Sequence, residues 1–445
     1  MKHIKKITAI ALALAMSLTV AGAPADARIS SSAAQATATA GTAAAAKSNI
    51  RLSKTSVTLK TGASITLKVK GTTKKATWST SNKKIATVTQ KGKVTAKKTG
   101  SAVIRAKVAK KTLKCSVKVT AADTKKTPLS QYWSATSSTA ESLRNYVKKV
   151  TNPADKDNFI PVKDRIAVFD MDGTLTCETY FTYFDTMMFI DFCLKDHPDT
   201  VSEEVKEVAR GLAPGFSADA SLAMAFAKAY QGMTVDELYA YAEEFGNRYP
   251  ISYKNMRYFD GFYLPMVELV KYLYENDFTI YVVSGTERTT TRAIIANSPI
   301  ADYVSPSHII GTEFEVKIKG YEDKALNIDS KYVPGDQLVF TGGFIQKNLN
   351  GNKSIWIQRE IGQRPVLAFG NSGTDSSMLA YALDDNPHPA EAYMIVADDP
   401  ERNWVNQSWE EKSKGYLEQG FTPVSMKNEF VQIYKDGIEL GESIV

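Results

Sequence analysis

From residue 50 to about residue 120 apolar and polar side chains alternate in short runs, "SVTLK", "SITLKVK", "IATVTQ", "KVTAKK", "AVIRAKV" and "LKCSVKV". Successive side chains of a strand point to opposite faces, so each run presents one apolar and one polar face. Gly or Asn turn signals break the runs about every ten residues, and the pattern predicts a small all-β sandwich.

After residue 123 the period changes. "SSTAESLRNYVKKV" reads as an amphipathic helix with Ser or Thr near its start. Near-continuous apolar runs at 166–169 ("IAVF"), 279–283 ("TIYVV"), 366–369 ("VLAF") and 393–396 ("YMIV") alternate with helical stretches such as "RTTTRAIIAN", "KSIWIQREIG" and "SSMLAYALDD". That alternation predicts a mostly parallel sheet covered on both faces, with function gathered at the carboxyl ends of its strands. Residues 176–262 are too long for a simple crossover and hold four helix-like stretches, "TYFDTMMFIDFCL", "EEVKEVARGL", "ASLAMAFAKAY" and "TVDELYAYAEEF". Residues 305–353 read as a further insertion, a hairpin with loops that shapes the entrance to a site.

The two ends of the chain and its charge add organisation. Residues 1–27 join Lys2, Lys5 and Lys6 to the apolar "ITAIALALAMSLTV" and to small-residue cleavage options, Ala21-Gly22-Ala23 and Ala25-Asp26-Ala27. This predicts a secretory signal peptide, removed in the mature protein, which is then secreted and carries no membrane span. Residues 28–48 form an Ala/Ser/Thr linker too poor in large apolar groups to pack. Residues 47–122 carry 18 Lys, 2 Arg and no acid, which leaves residues 123–445 at a net −16 although the whole chain is at +7. A face of lysines is drawn to anionic wall polymers or other polyanions, or it merely keeps a spacer soluble. Nothing in it resembles a base-reading element, so nucleic acid is not an expected partner. The cysteines, Cys115, Cys177 and Cys193, are odd in number and scattered. They give neither a disulfide framework nor a metal-ligand pattern.

Three predicted strand ends carry polar groups. The first ends in "DMDGT", the second in "SGT" and the third in "GNSGTD". Side chains two apart on an extended chain point the same way, so Asp170 and Asp172 can face one cleft, and Gly173 lets the chain turn sharply afterwards. Two inequivalent carboxylates can divide labour as nucleophile and proton donor. An isolated D-x-D is often only a turn cap, but three polar strand ends in order argue against that here.

The stretch "ATWSTSNKKIATVTQKGKVTAKKTGSAVIRAKV", with Trp78 as its core tryptophan and Gly92 and Gly100 at turns, resembles the group 2 bacterial immunoglobulin-like domain over residues 49–121. Residues 134–445, after a linker at 122–133, resemble the haloacid dehalogenase-like superfamily, in its phosphatase branch with a helical cap at about 176–262. The fold is therefore expected to be multidomain, an Ig-like sandwich followed by an α/β Rossmann-like parallel sheet with an inserted α-helical cap.

The second resemblance implies roles. Asp170 would attack phosphorus to form an aspartyl-phosphate, and Asp172 would protonate the leaving oxygen and then activate water. Thr174 completes the D-x-D-G-T motif. Ser284, with the backbone N–H of Gly285, would bind the phosphoryl oxygens. Lys353 would neutralise charge on nucleophile and phosphate, with Lys347 and Lys324 as rivals. Mg²⁺ would be held by Asp170, the backbone carbonyl of Asp172, Asn371 and Asp375. Asn371 stands where the family usually has an acid; an amide oxygen suits a hard cation but brings no charge.

The aromatics Tyr180, Phe181, Tyr183 and Phe184 open the cap. They read either as cap core or as a wall for an organic cation such as choline. Secreted phosphorylcholine phosphatases share this layout, and Phe262 to Thr312 resembles theirs, which makes phosphorylcholine a candidate substrate. Glu178 and Arg288 lie near motif positions, and surface solvation is the expected fate of each. Two functions follow: an exported Mg²⁺-dependent phosphomonoesterase acting on a small phosphorylated metabolite, or a non-catalytic surface-binding protein with a phosphatase-like scaffold.

Overall fold

The computed structural model describes residues 50–120 except 62 and 109, and residues 128–442 except 179–181, 213–219, 326, 327 and 329. The segments read as signal peptide and first linker, residues 1–27 and 28–48, lie outside the described residues, as do residues 122–127 of the second linker. The chain divides into two compact units at residue 122.

The first unit is built from β1 (Arg51–Leu52), β2 (Ser56–Lys60), β3 (Ser64–Thr66), β4 (Val69–Lys70), β5 (Thr77–Thr80), β6 (Ala86–Val88), β7 (Lys93–Ala96), β8 (Gly100–Val108) and β9 (Lys111–Thr120). A four-stranded sheet β2-β9-β8-β5, a three-stranded sheet β3-β7-β6 and the pair β1-β4 form the sandwich. Alternation along β9 buries Cys115, Val117 and Val119 while Lys114, Ser116 and Lys118 face solvent. The buried residues close around Leu67, Ile104 and Trp78. Gly92 turns the chain at φ +81, where a side chain would press on Trp78.

The second unit opens with helix α1 (Ser138–Val150), capped by Ser137, whose hydroxyl accepts from the N–H of Ala140. Its sheet contains β10 (Ile166–Phe169), which is buried along its whole length. Beside it run β12 (Thr279–Glu287), β13 (Ile309–Ile318), β14 (Leu338–Gln346), β15 (Leu367–Gly370), β16 (Glu391–Val396) and β17 (Thr422–Ser425), in the order β14-β13-β12-β10-β15-β16-β17. A short separate pair joins β11 (Tyr253–Lys254) to β18 (Glu439–Leu440). All neighbours in the large sheet are parallel except the β13–β14 hairpin. From β10 the chain winds outward through β12 and β13, then returns to start again at β15 and winds the other way. Their carboxyl ends, where the winding reverses, leave a crevice for a ligand.

The cap consists of α2 (Phe184–Asp191) with a π-helical turn at Phe192–Asp196, then α3 (Glu203–Gly211), α4 (Ala220–Ala229) and α5 (Val235–Gly246). The four helix-like stretches of the sequence are thus four helices. Phe184 packs edge-on against Phe245 and Tyr258 and belongs to the cap core, and Phe189 stacks on Phe226. Thr234 and Glu237 start α5 with a reciprocal capping box.

Two backbone connections join cap to sheet. At the neck, the Cys177 N–H bonds to the Gly261 carbonyl and the Tyr263 N–H to that of Leu175, each at 2.9 Å. At the far side, the Gly232 N–H donates to Phe340 O of β14 at 2.8 Å and the Phe340 N–H returns to Met233 O at 2.9 Å. The insertion at 305–353 therefore does contain a hairpin, and it braces the cap. Among the described residues no helix is long and apolar enough to cross a membrane.

Helices α6 (Leu264–Glu275), α7 (Arg288–Ala296), α8 (Gly351–Glu360), α9 (Ser376–Leu383), α10 (Trp409–Glu418) and α11 (Met426–Glu429) complete the unit. The three cysteines are buried free thiols.

Candidate active site

Strand β10 ends at Phe169, and its next residue, Asp170, is buried, with its N–H held by the Phe369 carbonyl of β15 at 2.9 Å. Beneath it, fully buried Lys353 of α8 reaches Asp170 Oδ1 at 2.5 Å, Asp375 Oδ1 at 2.6 Å and the Val283 carbonyl at 2.8 Å. One ammonium thus ties together the end of β10, the middle of β12 and the loop after β15. Burial pulls the Lys353 pKa down, but the two carboxylates hold it above its ordinary value. Burial and the neighbouring Asp375 push Asp170 up, and Lys353 opposes them.

Asp375 is buried with both oxygens engaged. While Oδ1 meets Lys353, Oδ2 accepts from the N–H of Asn371 at 3.0 Å, the N–H of Ser372 at 3.1 Å and the Ser372 hydroxyl at 3.3 Å. Expected from the sequence to bind metal, Asp375 instead folds the "GNSGTD" loop and anchors Lys353. Of the rival lysines, Lys324 is exposed, and Lys347 sits on the cavity wall donating to Gly285 O at 2.9 Å.

Above Asp170 lies a cavity of about 200 Å³, lined by Asp170, Asp172, Glu178, Tyr183, Asp185, Thr186, Leu222, Phe226, Gly285, Thr286, Lys347, Leu349, Asn371, Ser372 and Thr374. Sheet and cap therefore both contribute walls. Asp172 accepts a 2.9 Å hydrogen bond from the Thr286 hydroxyl at Oδ2, and its buried Oδ1 has no hydrogen-bond partner among the described residues. Burial, then Asp185 and Asp170, raise its pKa well above the ordinary carboxylate value, with Thr286 opposing. An acid that retains its proton suits a proton donor.

Ser284 is placed differently from Thr286. It is fully buried and its Oγ accepts from the Thr286 N–H at 3.0 Å, so Gly285 and Thr286 are the residues of β12 that face the cavity. The register of β12 against β13 shifts between Val283 and Glu287, which is why strict alternation fails here. Glu287 then caps α7, accepting from the N–H groups of Thr289 and Thr290.

Two expectations are corrected. Glu178, read as a solvated surface acid, lines the cavity, and its Oε1 accepts from Asn371 Nδ2 at 3.0 Å. Burial pushes its pKa up to about 7, against the Asn371 hydrogen bond and with Asp170 and Asp375 adding to the rise. Arg288 is not solvated either; it pairs with Glu313 at 2.7 Å and Glu360 at 2.9 Å, outside the cavity lining. Of the aromatics, Tyr183 lines the cavity, Phe184 is cap core, and Tyr180 and Phe181 lie outside the described residues. Thr286, Asp185 and Phe226 were not singled out from the sequence. Each reaches the cavity only through the fold, although the polar strand end "SGT" was a signal for Thr286.

The donors suit a hard cation. The Thr174 hydroxyl lies 3.3 Å from Asp170 Oδ2 and 3.5 Å from Asn371 Oδ1, so these two oxygens converge. Asp170, Asp172, Glu178 and Asp185 line the cavity, and carboxyl oxygens of this kind suit a divalent cation bound through oxygen. Among the described residues no group of three or more His, Cys, Asp or Glu is placed to hold a metal.

Comparison with known proteins agrees with this architecture. Residues 167–380 match the family model of the haloacid dehalogenase-like hydrolases, and residues 46–119 that of the bacterial Ig-like domain, group 2. The chain thus contains a haloacid dehalogenase-like hydrolase domain over residues 167–380, with a bacterial Ig-like domain before it in the sequence. Both aspartates of the D-x-D-G-T motif lie inside the matched hydrolase domain.

Its fold is similar to that of a conserved protein of unknown function from Anaerococcus prevotii DSM 20548, at 13% identity and a TM-score of 0.42, covering 69% of this chain and 97% of the other. It is also similar to a phosphoserine phosphohydrolase-like protein from Francisella tularensis subsp. tularensis SCHU S4, at 17% identity and 0.29, covering 52% and 87%. Both likenesses are too distant to carry an argument about chemistry. No curated protein matches the sequence.

Proposed function

We propose that this chain is an exported, Mg²⁺-dependent phosphomonoesterase that acts through an aspartyl-phosphate on a small phosphorylated metabolite. The observation that carries this reading is the inequivalence of two aspartates on one cavity: Asp170 is paired with Lys353, and Asp172 accepts from the Thr286 hydroxyl in a buried setting that raises its pKa.

In the first step a carboxylate oxygen of Asp170 forms a bond to phosphorus as the ester oxygen leaves, taking the proton from Asp172 Oδ1. In the second step Asp172, now ionised, removes a proton from water as that water attacks phosphorus and breaks the acyl-phosphate bond. Phosphate leaves, Asp170 is regenerated and Asp172 is again protonated. Lys353 keeps Asp170 oriented and limits the cost of its buried charge. The Gly285 N–H and the Thr286 side chain border the region of the transferring group. Mg²⁺, held by Asp170, Asn371 and the carbonyl of Asp172, would offset the repulsion between a carboxylate and a phosphate dianion. The cap covers the reacting atoms and limits the access of bulk water.

Phosphorylcholine is a candidate substrate. Tyr183 and Phe226 offer aromatic surface near Asp185, an environment that suits an organic cation. The Lys-rich unit is read as a module drawn to an anionic cell-wall polymer, which would keep the exported enzyme at the surface.

The test is hydrolysis of a panel of phosphomonoesters with Mg²⁺ and with chelator, by wild type and by Asp170→Asn. Turnover that needs both Asp170 and the metal is expected. Equal inertness of the two proteins across the panel would remove the enzyme reading and leave a binding scaffold.

A further inference from the structure

The amide of Asn371 has two ends of opposite character, and only its oxygen can face a cation. Its nitrogen donates to Glu178 Oε1 at 3.0 Å, while its oxygen lies beside the Thr174 hydroxyl that also meets Asp170 Oδ2. The space for this pair is made by Gly173. At φ +85, a Cβ there would overlap Asn371 Nδ2 and stand 2.8 Å from Glu178 Oε1. The backbone thus passes close against the hydrogen bond and leaves the amide little room to turn.

Charge points the same way. Of the carboxylates near the converging oxygens, Asp375 is engaged by Lys353 and by its own loop, and Asp172 by the Thr286 hydroxyl. Asp170 alone would be a weak anionic site for a divalent cation. Glu178 stands next to the neutral ligand and supplies a further acid there.

Building on the metal-dependent reading above, we propose that Glu178 is a positioning residue for the cation, acting through Asn371. It fixes the amide with its oxygen inward, through the hydrogen bond that Glu178 Oε1 accepts from Asn371 Nδ2. Outer groups that orient a ligand in this way commonly change metal affinity by about 10- to 100-fold when removed. An acid and an amide can also exchange places without losing the hydrogen bond. In Glu178→Gln/Asn371→Asp the glutamine amide donates to the new aspartate, and the charge moves from one position to the other.

The test is calorimetric titration of the full chain with Mg²⁺, with thermal melting of each variant as a check on folding. Glu178→Gln is expected to weaken Mg²⁺ binding roughly tenfold or more. Asn371→Asp sets two carboxylates against each other and is expected to gain nothing over wild type. The exchanged double variant is expected to return to within about threefold of wild type. Wild-type affinity in Glu178→Gln would overturn the proposal, as would an exchanged variant as weak as the single one. Should Glu178→Gln not fold, the exchanged variant decides alone. A wild type that binds no Mg²⁺ would sink the metal reading itself, an outcome distinct from wild type and Glu178→Gln binding equally well.

Discussion

Lys353 Nζ stands 2.5 Å from Asp170 Oδ1, although 183 residues separate the two in the chain. Both are buried, and the same ammonium holds Asp375. Removing it leaves two carboxylates without their cation in the interior. Lys353→Met is therefore expected to destabilise the second unit by roughly 3–5 kcal/mol and to abolish hydrolysis. Denaturant unfolding and phosphate release check the two parts. A stable, active variant would show that the pair is dispensable.

Thr286 has a subtler part, because its hydroxyl holds only one oxygen of Asp172. Thr286→Val keeps the shape and removes the donor. The expected outcome is a fall in kcat of about 10- to 100-fold with little change in KM, and recovery in Thr286→Ser. A rise in KM alone would place Thr286 in substrate binding instead.

Gly173→Ala tests the close approach under Asn371. Positive φ costs an L-residue about 1–2 kcal/mol, and the new methyl also displaces the amide. Loss of Mg²⁺ binding alongside a lowered melting temperature is expected. Unaltered binding would show that the loop gives way easily.

Asp260 gives a pH signature. Although burial opposes ionisation, Arg257 at 2.9 Å and Lys435 at 2.9 Å hold its pKa down at about 2. A carboxyl whose folded pKa lies below its unfolded value of about 3.9 adds stability above that value and loses it as pH falls through about 2. Asp260→Asn should therefore be less stable than wild type at neutral pH, and the gap should close with acidification. Denaturation midpoints across pH check it; a gap independent of pH would contradict the linkage.

On the first unit, Arg105 of β8 and Lys114 of β9 are directly opposed, a like-charge pair that a polyanion would relieve. Binding of the full chain to isolated cell walls is expected to weaken as salt rises toward about 1 M, where the Debye length falls to about 3 Å. Lys114→Glu/Lys118→Glu should weaken it at low salt. Binding indifferent to salt would end the electrostatic argument.

What the sequence determined by itself is local. Alternation marked the sandwich, near-continuous apolar runs marked the parallel strands and helix-like stretches marked the four cap helices, because burial leaves its imprint on consecutive residues. "DMDGT" was legible for the same reason: both aspartates and the turn glycine lie within five residues. Tertiary structure decided the rest. Among Lys324, Lys347 and Lys353, only the crossover from α8 to β15 brings one beneath Asp170. Glu178 looked like any acid outside the apolar pattern until the neck of the cap turned it back onto Asn371. Asp375 looked like a metal ligand until its loop used both oxygens. Contacts between residues 193 and 22 positions apart, Asn371 with Glu178 and Lys353 with Asp375, depend on where the sheet reverses its winding, and no local pattern carries that information.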